Sequence, residues 1–318
     1  MNGAWSVDRR SFLLRLAGLG VVLAAPPGGR LAGEVLSGGG TGQELLPTRP
    51  IPGTGERLPI VGFGSSASVL AIPDEGTGPI VNVLRILLEH GGRVVDTSVR
   101  TEAIDREFGR VLSDAEFRNR LFVTAKVNTE DAAEGIAQFR QTQRLFGRRT
   151  LDLVQIESLR GLRDHWPRLR EWKDSGEARY IGVTVSNDAN HGPLEAFMRT
   201  ESPDFVHVNY SPVENAAEER LLPLARDRGM AVLTNRPFMN GAWFGLVAGR
   251  ALPGWTAEFD CESWAQFSVK YVLSNPAVTC ALTETTNPDH MAENVRSGFG
   301  RLPDDAARTR MRELVRSF

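Results

Sequence analysis

GGRVVDTSVRTEAIDREFGRVL, residues 91–112, reads as a buried strand ending in Asp96, a short loop and then a helix. The same alternation runs along the chain beyond residue 50. Short apolar runs lie at 59–63, 93–96, 121–125, 153–156, 180–184, 205–208, 231–234 and 278–282. They are β-branched and too short for helices, as buried parallel strands should be. Helical patterns fall between them, at 79–90, 103–112, 132–146, 165–175, 190–200, 215–228, 262–274 and 288–296. Asp131 and Asn287 stand where helix N-caps belong, and Gly91, Gly147, Gly176 and Gly229 where helices end. Strict βα alternation of this length predicts an α/β fold, a single-domain (β/α)8 TIM barrel over residues 48–318, with a doubly wound open sheet as the alternative. Gly62-Phe63-Gly64 lacks the third glycine of a dinucleotide fingerprint.

Composition narrows the function. With 318 residues, a net charge of -2, 41% apolar and 24% charged residues, the chain is an ordinary globular one, and nothing in it favours a nucleic-acid partner. Cys261 and Cys280 are too few for a disulfide framework and lack metal-ligand spacing with any histidine, so no metal site is expected.

A barrel of this kind forms its active site at the C-terminal ends of its strands. Three consecutive strands end in charge: Asp96, Lys126 and Glu157. A lysine between two carboxylates at a barrel mouth is either a functional cluster or a structural ion pair, Lys126–Glu157 being the plain version of the second.

Taken in order, these segments resemble the aldo-keto reductases over residues 48–304. The carriers are LPIVGFGSS (58–66), the Asp-Thr-Ser at 96–98, LFVTAKV (121–127), LDLVQIESL (151–159), RYIGVTVSN (179–187), DFVHVNYSP (204–212), AVLTNRPF (231–238) and TETTNPDHMAEN (283–294). The resemblance implies NAD(P)-dependent hydride transfer to or from a small carbonyl or alcohol substrate. It places Asp96 and Lys126 in the family's catalytic set, and puts Thr101 where the family carries its proton-donating tyrosine and Glu157 where it carries a histidine. No shift of register restores the tyrosine, because the first tyrosine of the chain is Tyr180. A glutamate at the histidine position resembles the steroid double-bond reductases, which keep their tyrosine. A buried Glu157 would either hold a proton and donate a hydrogen bond or pair with Lys126.

By the same resemblance the cofactor would meet Gly64, Ser65, Thr184, His207, Asn235, Arg236, Phe238, Glu284, Thr285, His290, Glu293 and Asn294. Val185 replaces a polar residue, and Asn235 replaces the aromatic that stacks under the nicotinamide. Glu284 and His290 fall where a lysine and an arginine hold the 2′-phosphate of NADP, which favours NAD, whereas Arg236 could reach a phosphate. The loop 238–262, with Phe238, Trp243, Phe244 and Trp255, is either an apolar pocket wall or packing against the barrel. The alternative to an enzyme is a catalytically inactive barrel of the same descent that binds a ligand or a partner. A third reading is a redox-independent acid–base enzyme using Glu157, Asp96 and Lys126.

The N-terminus carries a different signal. Arg9-Arg10-Ser-Phe-Leu-Leu, a short apolar run and an alanine-rich end form a twin-arginine signal over residues 1–25, with a Gly-rich flexible linker at 26–47. An amphipathic N-terminal helix is the alternative. The signal implies engagement of the twin-arginine export machinery, a periplasmic address and no stable membrane span after processing.

Overall fold

The computed structural model describes residues 44–318. The expected signal and most of the expected linker lie outside these residues. Eight parallel strands close into a barrel: β3 (Val61–Phe63), β4 (Val94–Val95), β5 (Phe122–Val127), β6 (Leu151–Glu157), β7 (Ala178–Thr184), β8 (Phe205–Asn209), β9 (Ala231–Asn235) and β10 (Cys280–Thr283), with β10 paired to β3. The (β/α)8 expectation holds, and the open sheet is excluded by that closing pair.

Strand periodicity divides the apolar residues into two clusters. Val94, Phe122, Leu153, Tyr180, Phe205, Leu233, Cys280 and Leu282 belong to the barrel interior, while Val95, Val123, Val154, Ile181 and Val206 belong to the larger cluster with the helices. Successive side chains on a strand take opposite faces. Thr124 and Lys126 therefore share the inward face of Phe122, Gln155 and Glu157 that of Leu153, and His207 that of Phe205.

A hairpin of β1 (Thr48–Pro50) and β2 (Arg57–Pro59) precedes the barrel. It corrects the first expected strand: Pro59 pairs with Thr48, and the barrel strand starts at Val61. Ile51 and Leu58 add to the interior cluster. Glu56 accepts hydrogen bonds at 2.9 Å from both Arg93 Nη2 and Tyr180 Oη, so Tyr180 belongs to this end of the barrel. The linker boundary also moves. Leu46 is buried and its N–H donates to His90 O at 2.8 Å, so packing begins before residue 48.

The helices follow the expected pattern, from Gly78–Glu89 through Pro288–Arg296. Asp131 and Asn287 cap as expected, accepting from the N–H of Glu134 and of Asp289. The expected helix 215–228 is broken into a 3-10 turn, Ala216–Glu218, and a helix, Leu221–Asp227. That break presents Glu218 to the C-terminal helix Asp305–Arg316, which is not among the expected helices. Glu218 accepts from Tyr210 Oη, Tyr271 Oη, Arg308 Nη2 (2.7 Å) and Arg312 Nη1 (3.1 Å). Both remaining tyrosines are thus committed to fastening that helix. No helix among the described residues is long and apolar enough to cross a membrane.

Removing Glu218 strands two arginines and two buried hydroxyls. Glu218→Ala is expected to lower unfolding stability by about 2–3 kcal/mol in urea titrations. A loss within about 0.5 kcal/mol would show that the hub contributes little.

Candidate functional site at the barrel mouth

A cavity of about 720 Å3 opens at the C-terminal ends of the strands. Eleven of the expected site residues line it: Gly64, Asp96, Lys126, Glu157, Thr184, His207, Asn235, Arg236, Phe238, Glu284 and Thr285.

At its floor, Lys126 Nζ donates to Asp96 Oδ2 at 2.7 Å and Thr124 Oγ1 donates to Asp96 Oδ1 at 2.5 Å. Asp96 is held in turn through its backbone: its N–H donates to Phe63 O at 2.8 Å, and its carbonyl accepts from Ser65 Oγ at 2.6 Å. Burial alone would raise the carboxyl pKa, but Lys126, His207 and Thr124 outweigh it and hold it below the ordinary value. Ser65 does not line the cavity; it supports the loop from beneath.

His207 lies 3.9 Å from Asp96 (Nδ1 to Oδ1), 1% exposed, and neither ring nitrogen has a hydrogen-bond partner among the described residues. Burial pushes its pKa down to about 4, against the pull of Asp96 and with the help of Lys126. Asn235 is similar in part: Nδ2 donates to Val185 O at 2.9 Å, which leaves the buried Oδ1 without a partner.

Several expectations need correction. Thr101 does not reach the cavity. It is the exposed residue before helix Glu102–Ser113, and its side chain makes no capping bond. The preceding residue explains this. Arg100 turns inward with its side chain only 4% exposed, donating to Ser98 O at 2.9 Å and to Ser65 O and Oγ, so Thr101 faces out. The Lys126–Glu157 ion pair does not form. Glu157 accepts instead from Ser98 Oγ at 2.9 Å, and Lys126 pairs with Asp96.

Arg236 is not free for a phosphate: it forms a two-pronged pair with Glu214, at 2.9 Å through Nε and 2.5 Å through Nη2. Glu284 turns to the segment after β3, accepting from Ser66 Oγ (2.9 Å), Ala67 N (2.5 Å), Ser68 N (2.7 Å) and Ser68 Oγ (3.1 Å). His290, Glu293 and Asn294 lie on helix Pro288–Arg296 outside the cavity lining, with His290 exposed and Asn294 buried.

The loop aromatics divide. Phe238 and Phe244 line the cavity as a pair with ring centroids 5.1 Å apart, whereas Trp243 and Trp255 pack on Phe267. Residues not anticipated include Arg100, Ser98, Thr124 and Glu214. Arg236, Met239 and Asn240 have positive φ (58°, 51° and 55°), as do Ser158 and Leu159 after β6 (54° and 58°). Backbone strain of this kind collects at binding sites. The described residues contain no cluster of metal-ligating side chains.

The pattern of the aldo/keto reductase family matches residues 80–313. The chain belongs to that family. A curated relative, the NADH-specific methylglyoxal reductase of Escherichia coli (strain K12), is 27% identical over 172 residues, which is 46% of this chain and 52% of the relative. The chain thus aligns with about half the length of that relative. An aldo-keto reductase from Bacillus halodurans in its holo form superposes with a TM-score of 0.68 at 17% identity, covering 85% of this chain and 96% of the other. An aldo/keto reductase from Klebsiella pneumoniae, in complex with NADP and acetate, superposes with a TM-score of 0.63 at 16% identity, covering 81% and 92%.

Buried neutral His207 gives the site a pH signature. An unfolded imidazole takes its proton near pH 6.5, before the folded one does. The stability tied to a neutral His207 is therefore complete above pH 6.5 and is lost as pH falls toward about 4. His207→Gln should remove this slope, gaining about 2–3 kcal/mol relative to wild type between pH 7 and pH 4.5 in urea unfolding. Parallel pH profiles for the two proteins would refute the assignment.

Proposed function

We propose that the barrel mouth is an oxidoreductase site that moves a hydride between a nicotinamide dinucleotide and a small carbonyl or alcohol, with NAD favoured over NADP. The observation that carries the reading is the pair of unsatisfied polar groups in the cavity wall, the His207 imidazole and Asn235 Oδ1, next to the Asp96–Lys126 pair. Buried polar atoms without partners are costly, and groups that a ligand can satisfy are the usual explanation at a cavity. A primary carboxamide offers N–H donors and a carbonyl acceptor, which suits an oxygen acceptor beside an imidazole that can donate from one nitrogen and accept at the other. Thr184, whose backbone pairs with His207 across β7 and β8, adds a hydroxyl to the same wall.

The dinucleotide would supply the hydride. Asp96 would hold the Lys126 ammonium in place, and Phe238 with Phe244 would present an apolar face to the substrate. The wall is poor in free positive charge. Its cations are Lys126, paired with Asp96, and Arg236, paired with Glu214, while Glu157 and Glu284 add negative charge. Such a wall disfavours the extra phosphate of NADP.

The same shortage of free cations supports the second reading, a barrel that binds a neutral polar ligand without redox chemistry. Titration of tryptophan fluorescence with NADH and NADPH separates the two. The proposal expects saturable NADH binding, at least about 10-fold tighter than NADPH. Saturation by neither dinucleotide would leave the second reading standing.

A further inference from the structure

The usual proton donors are absent from this cavity. Tyr180 is bound to Glu56 at the opposite end of the barrel, Tyr210 and Tyr271 are bound to Glu218, and Thr101 faces outward. His165 is spent within the helical layer, where its Nε2–H donates to Thr129 O at 2.9 Å.

What remains at the floor is Lys126. It lines the cavity, is 7% exposed, and donates a single hydrogen bond among the described residues, to Asp96. An ammonium has three N–H groups, so two are left for whatever enters. Glu157, with one oxygen engaged by Ser98 Oγ, stands in the same wall as an acceptor. His207 is kept neutral by burial and offers at most one weakly acidic N–H.

We propose that Lys126 is itself the proton donor of the reaction, with Asp96 as its positioning residue, so that no phenol is needed. The proposal rests on the oxidoreductase reading above. In the reducing direction the substrate carbon takes a hydride from a reduced nicotinamide dinucleotide, and the carbonyl π bond breaks. The electron pair left on oxygen takes a proton from Lys126 Nζ, so an N–H bond breaks and an O–H bond forms. The substrate is reduced to the alcohol, the dinucleotide is oxidised, and the neutral amine regains its proton from water at the open mouth. In the oxidising direction the amine accepts the alcohol proton. Lysine suits both roles because its amine can lose and regain a proton, which a guanidinium cannot.

That contrast supplies the test. Lys126→Arg keeps a cation beside Asp96 but no exchangeable acid. NADH-dependent reduction of a panel of aldehydes headed by methylglyoxal should fall at least about 100-fold in Lys126→Arg. NADH affinity, read by tryptophan fluorescence, should stay within about 3-fold of wild type. In Lys126→Ala, added primary amines should restore the rate, more strongly as amine basicity is matched to the assay pH. Acetate, whose carboxylate mimics a polarised carbonyl, should bind Lys126→Met at least about 10-fold more weakly than wild type by calorimetry. A role confined to charge or packing predicts substantial activity in Lys126→Arg, or a response to amines that is absent or does not follow their basicity, and either result overturns the proposal. Wild type that neither binds NADH nor reduces any aldehyde would sink the oxidoreductase reading itself, a different failure from an active wild type matched by Lys126→Arg.

Discussion

Lys126 and Asp96 meet at 2.7 Å inside the barrel, each less than one-tenth exposed, and the mouth is arranged around that contact. Two charges withdrawn from water cost several kcal/mol each unless geometry and further hydrogen bonds compensate. Compensation is visible on every side of Asp96, from the Thr124 hydroxyl on its free oxygen to the Phe63 and Ser65 contacts on its backbone. Such a pair contributes little net stability compared with a well-packed apolar core. What it does supply is a fixed ammonium pointing into a cavity, carried on strand β5 and held by a carboxylate just past the end of β4. Fixed, preorganised charge is the arrangement from which electrostatic and acid–base catalysis draw most.

The surroundings of that pair are set by competition among neighbours. Arg100 takes the inward position beside Ser65 and turns Thr101 out. Ser98 engages Glu157, which leaves Lys126 to Asp96, and Glu214 engages Arg236 in the cavity wall. Each side chain so engaged leaves Lys126, His207 and Asn235 as the groups of the mouth with polar capacity to spare. An acidic rim with paired cations is the feature on which the proposed preference for a ligand with less phosphate charge rests.

Much of this was legible in the chain. The two-residue period of β5, β6 and β8 placed Lys126, Glu157 and His207 on the inward face, and the strand ends put them at the mouth. Local capping chemistry fixed helix starts such as Asp131. Pairings between segments distant in sequence were not legible. Glu284 reaches Ser66 across 218 positions and Arg236 reaches Glu214 across 22, and neither partner is marked by periodicity or spacing. Nor is the outward turn of Thr101, which depends on where a neighbouring arginine side chain finds its acceptors. The C-terminal helix does carry an apolar stripe, Ala307, Met311, Leu314 and Val315, packed on the core; what the chain does not mark is its polar anchor, Glu218 with its four donors.

Hydride transfer at this mouth is the central claim, and isotope transfer tests it most directly. Purified protein would be incubated with NADH deuterated at the transferable position of its nicotinamide and with the aldehyde panel, and the products read by mass spectrometry. The account predicts one deuterium on the carbinol carbon of at least one product alcohol, with wild type well above Lys126→Arg. Saturable NADH binding with no deuterium in any product would contradict it and leave a ligand-binding barrel.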